Sequence, residues 1–271
     1  MCLLICTKHF VYSGKKKIVL PFKHPRSTFL YKKTASRAIS SQSLKKRIQA
    51  FLNKHQNVLF NKKVCLVLPD HTRDFDSKLI MTLLFDSLKQ YAKRIDCVVA
   101  LGLHKKLNSE EKDKYGASVI VHPHTFRQHS LVQTVLLGAT NGIPVCLNKH
   151  LFSCDIILTI GIVEPHLYAG FSGGIKCLSI GLAGRETILG THAVSFLSQR
   201  NVVMGNVTTN PFQRFLWDAF ALIDIPTYSF NIVKNHKKQI VFCSFDSPRQ
   251  SFRKATAFAK GVFGYVVKKT I

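Results

Sequence analysis

The sequence is organised around a glycine-rich stretch, Gly-Ile-Val-Glu-Pro-His-Leu-Tyr-Ala-Gly-Phe-Ser-Gly-Gly-Ile-Lys, at residues 161–176. An apolar run at residues 156–160 precedes it and predicts a buried strand. Glycines within the stretch let the backbone adopt positive φ angles and let a ligand approach the main chain closely. We therefore expect a ligand-binding loop that follows a buried strand. Lys176 closes this loop, and His166 and His192 lie on either side of the lysine.

The spacing of the glycines excludes a nucleotide-triphosphate loop of the Walker type. That loop has four residues between its first glycine and a Gly-Lys-Ser/Thr ending. Counted from Gly170, the second glycine should be at position 175, but Ile175 is there and Cys177 follows the lysine. A lysine can act instead as a nucleophile or covalent anchor when burial lowers its pKa. A histidine can act near neutral pH as an acid, a base or a metal ligand.

Two further motifs follow predicted strands. Asp70-His71-Thr72-Arg73 comes directly after an apolar run at residues 63–69, and Ala100-Leu101-Gly102-Leu103-His104 contains the end of a second run at residues 95–101. Parallel sheets bind their ligands at the carboxyl ends of the strands. We therefore expect both motifs to lie at the same edge of a sheet as the glycine-rich loop.

In these motifs, together with His192, the chain resembles the nickel-dependent lactate racemases, the nickel-pincer nucleotide enzymes. The segment from Pro165 to Lys176 is nearly letter-for-letter the family's lysine loop, and the resemblance covers about residues 40–260. Any one motif alone would be weak evidence, but four in the right order are specific. The resemblance implies a racemase or epimerase of a lactate-like 2-hydroxy acid that works by hydride transfer. The short apolar N-terminus has its charges after the apolar part, unlike a signal peptide, so a cytoplasmic protein is expected.

The resemblance also implies a role for each residue of the motifs. Lys176 would hold the cofactor, a nickel-pincer nucleotide (Ni-pyridinium-3,5-bisthiocarboxylate mononucleotide), as a covalent thioamide, and His192 would be the protein's nickel ligand. His104 and His166 would be the two acid/base histidines, which alternately take and return the hydroxyl proton. Contacts to the nucleotide part of the cofactor would come from Asp70, His71, Thr72 and Arg73.

The chain departs from the family pattern in two places. Ser179-Ile180-Gly181 stands where the family usually has a Pro-Gly pair, so the fixed φ of proline is lost from this turn. Family members usually continue into a second domain that closes over the site, whereas this chain stops at Ile271. We expect residues 1–40 to form an extension or hairpin and residues 41–271 to form the catalytic domain. The lid domain is expected to be absent from this chain. A separate chain is one partner that could supply it.

Predicted strands alternate with predicted helices along most of the chain. The helices are expected at residues 43–54, 79–91, 108–116, 185–198, 210–220 and 248–260. The strands are expected at residues 1–6, 17–21, 63–69, 95–101, 118–121, 131–137, 143–147 and 156–160, with a hairpin at 227–245 and a loop at 23–41. This alternation predicts a Rossmann-like α/β fold, a mainly parallel sheet with helices on both faces and a carboxy-terminal hairpin. The trio His122-Pro123-His124 is expected to be a strand-end loop and not a metal site.

The net charge of +25, from 39 basic and 14 acidic residues, should attract anions. The lysines lie in small, scattered clusters, and the chain has no basic helix, zinc finger or RNA-binding signature. A generally cationic surface is therefore expected, although the charge leaves nucleic acid open as a partner. No apolar run reaches the about 18–20 residues that a membrane span needs. The eight cysteines include no Cys-x-x-Cys pair and are expected to be buried free thiols.

Three functions remain open on the sequence alone. The leading prediction is a 2-hydroxy acid racemase that acts on a small substrate. The first alternative is a truncated relative that is inactive or only binds the cofactor, because an open site admits water and loses substrate contacts. The second alternative is a cationic polyanion-binding protein, whose binding would fall steeply with salt.

Overall fold

Strands and helices alternate along most of the computed structural model, which describes residues 9–13, 16–20, 27–30, 36–75, 77–264 and 266–269. The strands are β1 (His9–Ser13), β2 (Lys16–Leu20), β3 (Ser27–Leu30), β4 (Lys63–Pro69), β5 (Arg94–Ala100), β6 (Thr125–Gln128), β7 (Thr134–Thr140), β8 (Ile143–Asn148), β9 (Ile156–Ile162), β10 (Pro165–His166), β11 (Gly170–Phe171), β12 (Thr227–Lys234), β13 (Ile240–Asp246) and β14 (Val266–Lys269). The helices are α1 (Ser41–Lys54), α2 (Gln56–Leu59), α3 (Ser77–Leu88), α4 (Ser109–Lys114), α5 (Gly174–Ser179), α6 (Arg185–Thr191), α7 (Val194–Leu197), α8 (Pro211–Ala221) and α9 (Pro248–Phe263).

The central sheet has six strands in the order β13-β12-β9-β4-β5-β6. Every neighbouring pair is parallel except β12 and β13, which form an antiparallel hairpin. Strand β9 is buried along its whole length, as is typical of parallel strands that are covered on both faces. The structure confirms the predicted α/β fold with its mainly parallel sheet and carboxy-terminal hairpin.

The side chains of β4 alternate between two hydrophobic cores. Val64, Leu66 and Leu68 pack in the core that contains the buried faces of α1 and α3. Cys65 and Val67 pack in the core on the other face of the sheet, with residues of α5 and α8. Because successive side chains of a strand point to opposite faces of the sheet, helices cover both faces.

The third predicted strand is in the wrong place. Residues 117–119 form a 3-10 turn, Ala117–Val119, and the edge strand that pairs with β5 is β6, Thr125–Gln128. The His122-Pro123-His124 trio precedes this strand instead of following one. Nδ1 of His124 accepts a hydrogen bond from the main-chain N–H of Ile95, 3.0 Å away. This contact joins the segment before β6 to β5, and the local apolar pattern does not encode it.

The helix predicted at residues 185–198 is broken near its middle. Helix α6 ends at Thr191, His192 is its C-cap, and α7 begins at Val194 after the extended residue Ala193. The Nδ1 atom of His192 lies 2.9 Å from the carbonyl oxygen of Ile188, which also accepts the main-chain N–H of His192. The histidine therefore ends the helix and does not lie inside it.

The two ends of the chain form a unit of their own, apart from the unit at Ser36–Phe263. Within this unit β1 pairs with β2 in a hairpin, and β3 pairs with β14, both antiparallel. The prediction of a strand near residue 17 is confirmed by β2, whereas the loop predicted at 23–41 contains β3. The strand predicted at residues 1–6 lies outside the described residues.

Among the described residues, no helix has the length and apolar character needed to cross a bilayer. Of the cysteines whose surroundings are described, Cys65, Cys97, Cys154 and Cys243 are buried free thiols, and Cys146 and Cys177 are partly buried free thiols. The prediction of free thiols is therefore confirmed for these six.

Candidate active site

A cavity of about 300 Å³ lies at the carboxyl ends of β4, β5 and β9. The last residue of each strand, Pro69, Ala100 and Ile162, contributes to its wall. The predicted functional residues in its lining are Asp70, Arg73, His104, Lys176 and His192. Parallel α/β sheets bind ligands at this edge, so the cavity is where the strand order predicts a site.

Lys176 reaches the cavity from the short helix α5, which starts directly after the glycine-rich loop. Burial lowers the pKa of its amine, and the nearby positive charge of Arg73 lowers it further. A lowered pKa leaves more of the amine uncharged near neutral pH, which is the nucleophilic form. Cys177 lines the same cavity, but burial raises the pKa of its thiol to about 11, so it stays protonated.

His192 presents an unprotonated ring nitrogen because of its position at the end of α6. Its Nδ1 lies 2.9 Å from the carbonyl oxygen of Ile188, which can only accept, so Nδ1–H is the donor. The neutral ring therefore has its lone pair on Nε2. Burial lowers the pKa of His192, which keeps the ring neutral. A metal-binding histidine commonly has this arrangement, with the second ring nitrogen fixed by a carbonyl group.

His104 and Asp70 form a pair at the cavity wall. Nδ1 of His104 lies 2.5 Å from Oδ2 of Asp70. Asp70 is 7% exposed, and its other oxygen accepts hydrogen bonds from the main-chain N–H and the hydroxyl of Thr72, at 2.9 and 2.5 Å. Because a carboxylate only accepts, the proton of the neutral histidine lies on Nδ1 and Nε2 is free to take another.

The hydrogen bonds of His166 select the opposite tautomer. Its Nδ1 accepts hydrogen bonds from the main-chain N–H groups of Tyr168 and Ala169, both at 3.2 Å. The proton of the neutral ring is therefore on Nε2, which can donate but cannot accept. Burial, followed by the positive charge of Lys176, lowers the pKa of His166 to about 3.

His166 lies beside the cavity and is not one of its lining residues. Its ring centroid is 6.4 Å from that of Phe212, and the His192 centroid is 5.4 Å from the same phenylalanine. Phe212 thus packs against both histidines, and the side chain of Tyr168 contacts both rings as well. Phe212 lies outside every motif, and no sequence pattern signals that these two aromatic residues hold the histidines together.

The Asp70–Arg73 motif is divided between two cavities. Asp70 and Arg73 line the cavity with the lysine, whereas His71, Thr72 and Arg73 line a neighbouring polar cavity of about 510 Å³. Nδ1 of His71 is buried without a hydrogen-bond partner among the described residues.

Arg73 donates a hydrogen bond from Nη1 to Oε1 of Glu164. Glu164 is not among the site residues predicted from the sequence, although it is the one acidic residue in the stretch at 161–176. A lone carboxylate beside the Pro-His pair is a signal that could have been used, because a buried or half-buried charge requires a partner.

No group of three or more histidine, cysteine or acidic side chains is placed to hold a metal ion in the part of the chain that the structure describes. The structure therefore brings Asp70, Arg73, His104, Lys176 and His192 to one cavity, leaves His166 next to it, and turns His71 and Thr72 toward its neighbour.

Parts of this chain are similar in sequence to known proteins. Residues 12–205 match the family model described as the lactate racemase N-terminal domain. The lactate racemase of Thermoanaerobacterium thermosaccharolyticum is 27% identical over 188 residues, which cover 66% of this chain and 43% of that protein. The lactate racemase of Lactiplantibacillus plantarum is 28% identical over 184 residues, with the same shares of each chain. The chain thus matches less than half of the length of these relatives.

Two solved structures have the same fold. The lactate racemase apoprotein from Thermoanaerobacterium thermosaccharolyticum superposes with a TM-score of 0.75 at 23% identity and covers 94% of this chain and 62% of that one. A protein from Thermotoga maritima superposes with a TM-score of 0.71 at 22% identity and covers 83% and 60% of the two chains.

Proposed function

The chain belongs to the lactate racemase N-terminal domain family, and we propose that it carries the cofactor-anchoring and proton-transferring half of a racemase for a small 2-hydroxy acid. One observation carries the proposal. The amine of Lys176, the imidazole of His192 and the Asp70–His104 pair line one cavity at the carboxyl ends of three parallel strands. These groups come from four separate segments of the chain.

The residues of this cavity fit the nickel-pincer nucleotide that the resemblance implies. Lys176 offers an amine with a lowered pKa for a thioamide bond, and His192 offers a bare Nε2 as a metal ligand. A single imidazole needs further donors, and the sulfur atoms of such a cofactor are donors that suit nickel. When bound, this cofactor would supply an acceptor for the hydride removed from carbon 2 of the substrate.

The chain's own part in the reaction is proton transfer at the hydroxyl group. His104 takes the hydroxyl proton on Nε2, and the carboxylate of Asp70 stabilises the resulting imidazolium through Nδ1–H. The resemblance makes His166 the second acid/base histidine. In this conformation only the donating half of that role is supported, because Nδ1 is occupied by two main-chain N–H groups.

Arg73 is suited to an anionic group because its guanidinium can donate to two oxygens at once. We propose that it contacts the nucleotide part of the cofactor, together with His71 and Thr72 in the neighbouring cavity. Its ion pair with Glu164 holds the guanidinium at the junction of the two cavities.

A cofactor-binding module without turnover is the second candidate. It is favoured by one observation: His166 does not line the cavity, and its Nδ1 is occupied by two main-chain N–H groups. The groups proposed to hold the cofactor are then in place, while the second acid/base group is not. A separate chain that covers the cavity would supply the contacts needed for reaction.

The test is to produce the protein together with the enzymes that synthesise the cofactor and to measure its intact mass. A covalent adduct is expected on the wild-type chain and on Lys254→Ala, which changes an exposed lysine paired with Asp246. No adduct is expected on Lys176→Ala. The loaded protein is then incubated with single enantiomers of lactate and larger 2-hydroxy acids, and the products are separated on a chiral column.

Each outcome of this test decides between the candidates. An adduct with formation of the opposite enantiomer supports the racemase. An adduct without turnover supports the binding module. No adduct on the wild-type chain contradicts both the racemase and the binding module. Salt-sensitive polyanion binding that is unchanged in Lys176→Ala would then support the cationic binding protein.

A further inference from the structure

The helix that carries the lysine has no capping side chain of its own. Helix α5 starts at Gly174, and its N-cap, Gly173, has no side chain with which to accept a hydrogen bond. The N–H of Gly174 donates instead to Oδ1 of Asn231, 2.9 Å away. Asn231 lies on β12, 57 residues farther along the chain. A distant strand thus provides the acceptor that the first turn of the helix lacks.

The carboxamide of Asn231 is fixed in orientation by a second hydrogen bond. Its Nδ2 donates to Oγ of Ser251, 2.9 Å away, and that hydroxyl donates to the carbonyl oxygen of Ser244 at 2.7 Å. Because the single hydroxyl proton of Ser251 goes to Ser244, its oxygen must accept from Asn231. Asn231 is 1% exposed and Ser251 is fully buried, so water does not replace either bond.

The backbone of strand β9 packs closely against the side chain of Asn231. Gly161 on β9 is the register partner of Asn231. A Cβ atom on Gly161 would lie 2.7 Å from Oδ1 of Asn231 and 2.0 Å from the nitrogen of Gly174. The start of α5, the asparagine and strand β9 are therefore in direct contact. A displacement of Gly174 would therefore change its contacts with both Asn231 and Gly161.

We propose that Asn231 is a positioning residue for Lys176, which fixes the start of α5 and thereby the depth at which the lysine amine enters the cavity. The proposal rests on the proposed role of Lys176 as the cofactor anchor. Lys176 is only two residues beyond Gly174 in a helix of six residues, so a displacement at the helix start reaches the lysine directly.

Loss of the asparagine side chain leaves the Gly174 N–H buried without an acceptor. An unsatisfied buried donor is costly, and it is relieved when the helix moves or when water enters. Either change hydrates the amine of Lys176 better than it is hydrated now. The amine then holds its proton more tightly and becomes less reactive near neutral pH.

The test follows the reactivity of Lys176 in the protein without cofactor, so it does not depend on turnover. Trace acetylation with acetic anhydride over a range of pH values, read by peptide mass spectrometry, gives the pH at which half of this amine is unprotonated. In Asn231→Ala this midpoint is expected to rise by about one pH unit. In Ser251→Ala, which leaves Asn231 in place and removes the partner of its Nδ2, a smaller rise is expected.

Asn148→Ala is the matched control. Asn148 is also buried, and its side chain donates to His129 and accepts from the N–H of His150, neither of which belongs to α5. This variant should be destabilised without a change in the Lys176 midpoint. Ser251→Ala keeps the proposal testable if Asn231→Ala does not fold.

The proposal is overturned if folded Asn231→Ala and Ser251→Ala keep the wild-type midpoint, or if Asn148→Ala raises it equally. A different result would show that the proposed function is wrong while the positioning role of Asn231 holds. The midpoint would rise in the two variants as expected, but the wild-type chain would form no adduct with the cofactor.

Discussion

Oδ2 of Asp70 lies 2.5 Å from Nδ1 of His104, although the two residues are 34 positions apart in the sequence. They follow β4 and β5, which are parallel neighbours with Pro69 opposite Ala100. The register therefore brings the residues that leave the two strands to the same point of the sheet edge. The carboxylate fixes the tautomer of the imidazole, and that tautomer decides whether the ring can take a proton from a substrate.

Asp70→Asn is expected to reverse the tautomer of His104. The asparagine amide can donate to Nδ1, which moves the histidine proton to Nε2 and removes the free lone pair. Two-dimensional ¹⁵N–¹H spectra of the imidazole should show Nδ1–H in the wild-type protein and Nε2–H in the variant. Under the proposed function, racemase activity of the loaded protein should fall by about 10²–10⁴-fold, the usual contribution of a positioned acid/base. An unchanged tautomer in the variant would show that the carboxylate does not control the ring.

His166→Asn and His166→Ala are expected to differ in stability but not in activity. Asparagine places an oxygen close to the position of Nδ1 and can still accept from the N–H groups of Tyr168 and Ala169. Alanine leaves both donors without this partner, which should lower the free energy of unfolding by about 1 kcal/mol more. Both variants lack the Nε2–H donor, so the loaded proteins should be equally impaired.

Urea unfolding monitored by circular dichroism measures this difference, with the exposed His236→Ala as the control. Equal stability of the two His166 variants would mean that the turn does not depend on the imidazole.

Acidification is expected to destabilise the protein because burial lowers the pKa of His129, His166 and His192 in the folded state. The unfolded chain takes up protons as the pH falls through 6.5, the ordinary histidine value, while these folded histidines stay neutral. The stabilisation is therefore complete above about pH 7.5 and is lost as the pH falls toward the folded pKa values. Urea midpoints at pH 7.5, 6 and 5 should decrease in that order.

His129 provides the sharpest test of this pH dependence. It is 3% exposed, with Nε2 bonded to the carbonyl of Ala183 and Nδ1 bonded to the amide of Asn148. His129→Gln should lower stability at pH 7.5 but flatten its pH dependence below pH 6.5 by up to about 1.4 kcal/mol per pH unit. An unaltered slope in this variant would assign the acid sensitivity to other groups.

Alanine substitutions at Gly174 and Gly161 should differ in whether a second substitution can rescue them. A Cβ on Gly174 would lie 2.3 Å from Oγ1 of Thr159, whereas one on Gly161 would lie 2.0 Å from a main-chain nitrogen. Both substitutions should cost about 1–3 kcal/mol through overpacking. Thr159→Ala removes the Oγ1 atom with which the added Cβ of Gly174→Ala would clash. The double variant should therefore be more stable than the sum of the two single effects predicts, by at least about 0.5 kcal/mol in a double-mutant cycle.

No side-chain change should rescue Gly161→Ala, because its clash is with backbone. Gly261→Ala, in helix α9 with no atom within 4 Å of the added Cβ, is the control and should be neutral or slightly stabilising. If Thr159→Ala also rescued Gly161→Ala, the contact between β9 and the start of α5 would not be as tight as the structure has it.

The sequence by itself determined the α/β class, the edge of the sheet at which the candidate site lies and the five motif residues that line its cavity. Strand and helix periodicities are local properties, and the motifs follow apolar runs whose carboxyl ends must meet in a parallel sheet. Asp70, His104 and Lys176 could be assigned to one edge for that reason.

Only the tertiary structure decided how these residues act on one another. The order of the strands pairs Asp70 with His104, Arg73 with Glu164 and Asn231 with Gly174. Packing also ended a helix at His192 and placed the proton of His166 on Nε2. These contacts join segments that are far apart in the chain or depend on a single ring orientation. A hydrogen bond forms only when both partners are brought within about 3 Å, and no local pattern of polar and apolar residues specifies that distance.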